Sequence, residues 1–81
     1  MHIELELVDA FDGLTRILQV LRLSECRILG LDVTPAGTRF RAVLAMEADD
    51  ERSLLVRNRL GGIIGVTVLR SDALNSVAAA A

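Results

Sequence analysis

The sequence predicts a small α+β domain whose elements run βαββαβ. Three observations carry that expectation: runs that alternate apolar and polar residues at period two, two stretches whose apolar residues recur at helical spacing, and turn-forming Gly, Pro and Asp residues between them. Eighty-one residues make one domain, of a size that hides only a modest share of its surface. The expected domain is residues 1–70, with 71–81 a disordered C-terminal tail.

Ile3-Glu4-Leu5-Glu6-Leu7 alternates aliphatic and acidic residues, which predicts a strand with one face on a core and the other in water. Asp9-Ala10-Phe11-Asp12-Gly13 then reads as a turn carrying an acidic N-cap. A first helix is expected from about Asp12 to about Ser24, because Leu14, Ile17, Leu18 and Leu21 fall on one side and Thr15, Arg16, Gln19 and Arg22 on the other. No Gly or Pro separates it from the second strand, Arg27 to Thr34, where Leu29, Leu31 and Val33 alternate with Gly30, Asp32 and Thr34. Thr34-Pro35-Ala36-Gly37-Thr38 closes a hairpin, with Pro35 suited to the second turn position and Gly37 to a left-handed one. The third strand, Thr38 to Glu47, sets Phe40, Ala42, Leu44 and Met46 against Arg39, Arg41, Val43 and Ala45. A second helix, Asp50 to Leu60, starts on acids and ends on arginines, as the helix dipole favours. Gly61-Gly62 stops it, and the β-branched run Ile63 to Leu69 predicts strand four.

This order is the ferredoxin-like split arrangement: one four-stranded antiparallel sheet in the order 4-1-3-2, with both helices on one face. Strands one and three are then neighbours, and the water-facing Glu4 and Glu6 lie beside Arg39 and Arg41.

Composition excludes several roles. Nine basic against eleven acidic residues give a net charge of -2, which is no footprint for nucleic acid. The chain is 52% apolar but 2% aromatic, so Leu, Ile, Val and Ala fill the interior, and their surplus points to a homodimer or a partner subunit. Cys26 is the single cysteine and His2 the single histidine, so neither a disulfide nor a metal site is expected. The start, Met1 to Asp9, lacks the basic end and apolar run of a secretory leader, and no apolar run is long enough to span a bilayer; the expected location is the cytoplasm. No nucleophile, base and phosphate-loop set is visible, since Gly61-Gly62 precedes a strand rather than a helix.

The run from Leu14 to Val33 resembles the first half of an ACT domain, a small ligand-sensing module, and in particular the small regulatory subunits of acetolactate synthase. Leu14, Arg16, Ile17 and Leu18 match the family's pattern after the first strand, and Ile28, Leu31 and Val33 its second strand, at the family's spacing. The resemblance covers about residues 3–70 in topology and length, and residues 12–33 in letters. It implies an ACT-like fold and a non-catalytic subunit that binds and activates a large catalytic subunit in branched-chain amino-acid biosynthesis. Thiamine diphosphate and Mg would belong to that partner, with no cofactor on this chain. The alternative is a stand-alone dimeric module that senses an amino acid.

A ligand site of this family type would comprise Asp9, Ala10, Phe11, Asp12, Gly13, Leu14, Arg27 and Ile28. Asp9 and Asp12 would face an amino acid's ammonium group and Arg27 its carboxylate. Valine-responsive members of the family carry Asn and Gly in the first loop and Asn before strand two. Here Asp9, Asp12 and Arg27 stand there, with the glycine displaced to Gly13, so weak or absent valine binding is expected. Asp9, Asp12 and Gly13 also have a purely structural reading, as residues that turn the chain and cap the helix. ACT domains pair side by side, which implies an interface from Val20, Leu23, Leu29 and Leu31. An acylphosphatase-like enzyme would need an Arg in the first loop, and Val8 to Gly13 contains none.

Overall fold

A computed structural model of the chain describes residues 1–72. Its elements are β1 (His2–Leu7), α1 (Ala10–Leu23), β2 (Arg27–Ala36), β3 (Arg39–Glu47), α2 (Asp50–Gly61) and β4 (Val66–Ser71). The strands form one sheet in the order β2-β3-β1-β4, with every neighbouring pair antiparallel. The protein has a ferredoxin-like α+β fold, in the expected strand order.

Alternation along β1 and β3 decides which face of the sheet is covered. Ile3, Leu5 and Leu7 point to the same side as Ala42, Leu44 and Met46, and all six are fully buried. Ile17 and Leu21 of α1 and Val56 and Leu60 of α2 close over them, so both helices lie on this one face. On the other face Arg39 reaches Glu6 at 3.2 Å and Arg41 reaches Glu4 at 3.4 Å. Both pairs run diagonally, because the residue directly opposite Glu6 is Arg41 and the residue opposite Glu4 is Val43. Half-exposed pairs of this kind contribute at most about 1 kcal/mol each.

Three boundaries differ from the sequence-based expectation for a local reason. Helix α1 starts at Ala10, not Asp12: Asp9 is extended and its carboxylate accepts the Asp12 N–H at 2.9 Å, so Asp9 is the cap. Asp12 and Gly13 therefore lie within the first turn. Gly13 is buried there, and a Cβ at that position would sit 3.3 Å from the Leu7 side chain, so its smallness lets α1 close on β1. Pro35 is not a turn residue but lies in β2 opposite Phe40, on an edge strand where a missing N–H is tolerated; Gly37, at φ 66, makes the turn. Strand β4 starts at Val66 because Ile63 to Gly65 form a turn, with Gly65 at φ 86 accepting the Val8 N–H at 3.0 Å.

The unbroken passage from α1 into β2 turns on a glutamate. Glu25 takes a left-handed φ of 55 at the joint, and Arg52 of α2 holds both its carbonyl and its carboxylate at 3.4 Å. At the far end of the chain Ser71 is buried in β4, and the Asp72 carboxylate accepts the His2 backbone N–H at 2.9 Å. The sheet thus continues one residue past 70, while 73–81, where most of the expected tail falls, lie outside the described residues.

Candidate functional site

The first half of the expected ligand site gathers where β1 meets α1. Asp9 caps the helix, Ala10 opens it, and Asp12 grips Arg16 one turn on, at 3.1 Å. Phe11 is 88% exposed, an unusual place for one of only two aromatic residues, and its carbonyl accepts the Thr15 hydroxyl at 2.8 Å. Gly13 is buried and Leu14 packs against the core. Asp9 and Asp12 are therefore already engaged, one with backbone N–H and one with a guanidinium.

Arg27 and Ile28 lie at the opposite end of the molecule. Helix α1 carries the chain back along the sheet, so β2 begins beside the start of β1 rather than its end; Ile28 stands opposite Met46, whose N–H donates to the Met1 carbonyl. Fourteen helical residues, about 20 Å of rise, separate the two groups. One chain does not bring Asp9 and Asp12 together with Arg27 around a common ligand.

The four expected assembly residues also divide. Leu29 is 58% exposed on β2, which forms one edge of the sheet, where the pairing with β3 skips a residue between Ile28 and Gly30. Leu31 is half-buried against the core. Val20 and Leu23 face away from that edge: with Arg16 and Gln19 they line an open groove of about 350 Å³ against Gly62, Ile63 and Ile64 of the α2–β4 turn. By helical periodicity the flank of α1 turned toward β2 carries Leu14 and Leu18 instead. Leu18 is 43% exposed, and the spacing Phe11, Leu14, Leu18 was the sequence signal for it.

The single cysteine and the single histidine have different surroundings. Cys26 is half-buried; partial burial pushes its thiol up, Arg52 pulls the other way and Asp49 adds to the rise, leaving it above its ordinary value. A thiol held protonated is a poor nucleophile. His2 Nδ1 lies 3.4 Å from the Asp72 carboxylate, an exposed contact that ties the ends of two strands. Among the described residues no group of three or more His, Cys, Asp or Glu side chains is placed to hold a metal ion. No helix among them is long and apolar enough to cross a membrane.

No protein-family model and no curated sequence matches the chain. Among solved structures it is similar to an uncharacterized protein, TM1266 from Thermotoga maritima, with a TM-score of 0.64 and 20% identity over 85% of this chain and 94% of that one. At that identity the likeness carries the fold, a small ferredoxin-like α+β domain.

Proposed function

We propose that the protein is a non-catalytic regulatory subunit that docks on a thiamine-diphosphate-dependent acetolactate synthase and raises its activity. The observation that carries the reading is where the family-like letters fall. Leu14, Arg16, Ile17 and Leu18 occupy α1, and Ile28, Leu31 and Val33 occupy β2 of a ferredoxin-like domain. Ile17 is at the centre of the core and Leu14, Leu31 and Val33 are at its margin. Thiamine diphosphate, Mg and the chemistry belong to the partner. Pairing of two copies through the β2 edge accompanies the proposal, since β2 is an edge strand that leaves Leu29 exposed, and Leu18 on α1 is part-exposed as well.

The test is reconstitution. The chain alone, given pyruvate, thiamine diphosphate and Mg, forms no acetolactate; added to a large catalytic subunit, it raises turnover and co-elutes with it. Turnover by the chain alone, or no effect and no co-elution, overturns the proposal. The second reading, a stand-alone dimeric amino-acid sensor, is favoured by the exposed Phe11 beside the β1–α1 loop. Calorimetric titration with valine separates the two, because Asp9 and Asp12 are occupied and Arg27 is remote. A clear low-micromolar isotherm would move the protein to the sensing class.

A further inference from the structure

The groove between α1 and the α2–β4 turn plays no part in the proposed regulatory role. Its volume of about 350 Å³ is at the lower end of small-molecule clefts and holds roughly a dozen water-sized groups. Its walls are branched and apolar, from Val20 and Leu23 on one side and Ile63 and Ile64 on the other. The polar side chains are Arg16 and Gln19.

Arg16 is oriented by a neighbour. Asp12 takes only its Nε, at 3.1 and 3.2 Å to the two carboxylate oxygens, so both terminal guanidinium nitrogens keep their N–H donors without a partner among the described residues. A guanidinium fixed this way presents two parallel donors, the geometry that receives a carboxylate. Gln19 likewise has an unengaged carboxamide. The groove's cation is Arg16, answered on one side by Asp12; beside it lie the Gln19 carboxamide and four aliphatic side chains, an arrangement complementary to an anion with an apolar tail.

We propose that this groove binds an aliphatic monocarboxylate of about six to eight carbons, a length its volume admits. The carboxylate sits on the terminal nitrogens of Arg16 and the chain lies between Val20 and Leu23 and the two isoleucines. The groove is open along one side, so part of the ligand stays in water and the affinity is millimolar.

Proton–nitrogen correlation spectra of the full chain, titrated with hexanoate and octanoate, test this, with hexylamine and hexanol as probes of the charge. Expected are saturating shifts at the amides of Val20, Leu23, Gly62, Ile63 and Ile64 with the two carboxylates and none with the amine. Arg16→Gln weakens binding about tenfold or more while Arg22→Gln, on the other flank of α1, leaves it unchanged. The same spectra report whether each variant is folded. Absent or non-saturating shifts up to tens of millimolar, equal binding of hexylamine, or undiminished binding by folded Arg16→Gln each overturn the proposal. Groove shifts that grow with protein concentration and no ligand also overturn it, by assigning the groove to contact between copies.

Discussion

Replacing Leu29 with Asp tests the β2 edge as an assembly surface. Fully burying a leucine side chain is worth about 1.5–3 kcal/mol, so hiding the 58% of Leu29 that is exposed contributes about 1–2 kcal/mol per copy. Twofold symmetry counts this twice, giving about 2–4 kcal/mol gross. The aspartate forfeits that contribution and adds two carboxylates whose desolvation costs several kcal/mol more. The combined loss, at least about 4 kcal/mol, weakens a dimer about a thousandfold. Sedimentation equilibrium at micromolar concentration reads the outcome: the wild-type chain runs at twice 8.8 kDa and Leu29→Asp at 8.8 kDa. Leu23→Asp remains dimeric, because Leu23 faces the groove and not the β2 edge. A monomeric wild-type protein, or a Leu29→Asp variant that still pairs, refutes the reasoning. Dissociation by Leu23→Asp alone would move the assembly face to the groove.

Three further outcomes concern stability. Gly65→Ala lowers it by about 1–2 kcal/mol, because Gly65 has φ 86 and the added Cβ meets nothing closer than 3.9 Å, so the cost is conformational; an unchanged urea midpoint would contradict this. Glu25→Gly relieves about 1 kcal/mol of left-handed strain and gives up an exposed pair worth less than that, so thermal unfolding finds it neutral or up to about 1 kcal/mol more stable. Clear destabilisation would show that the Arg52 contact outweighs the strain. Burial pushes the Asp72 carboxyl up, but the backbone N–H and ring of His2, with the N-terminal ammonium, pull it further down, below its ordinary 3.8. A depressed acid stabilises the fold above its unfolded value and loses that contribution as pH falls through its folded value. Acid titration of stability should therefore show wild type and Asp72→Asn converging below about pH 3.8, and a constant gap would be the wrong result.

How much of this was legible depended on whether a signal was local and periodic. Ile3, Leu5 and Leu7 against Glu4 and Glu6 declared both the strand and its two faces, and β3 answered with Ala42, Leu44 and Met46 against two arginines. Strand order then followed from topology. The start of α1 was ambiguous because Asp9 and Asp12 can each cap a helix, and only the backbone shows which one does. Ile63 and Ile64 have strand propensity, yet the chain turns through them to Gly65, which takes φ 86 and whose carbonyl accepts the Val8 N–H. The flanks of α1 were confused for a related reason. Periodicity says that Val20 and Leu23 share a side with Arg16, but not that this side faces the α2–β4 turn. Arg27 fell away from Asp9 and Asp12 because nearness in sequence across a crossover helix is distance in space.

The diagonal pairing of Glu4 with Arg41 and Glu6 with Arg39 has a consequence for how the chain finds its register. Slide β3 by two residues along β1, so that Glu6 stands opposite Arg39, and Glu4 then stands opposite Arg41. Both attractions survive, the aliphatic side chains still point inward, and only an odd slip reverses the faces. The charges therefore choose which side of the sheet meets water without choosing the alignment. Alignment falls to shape: in the slipped arrangement Leu5 would stand opposite Phe40 instead of Ala42, and Leu7 opposite Thr38 instead of Phe40, one residue short of where β3 begins. A pair such as β1 and β3, with no hairpin to fix its register, is thus aligned by which side chains meet across the covered face of the sheet.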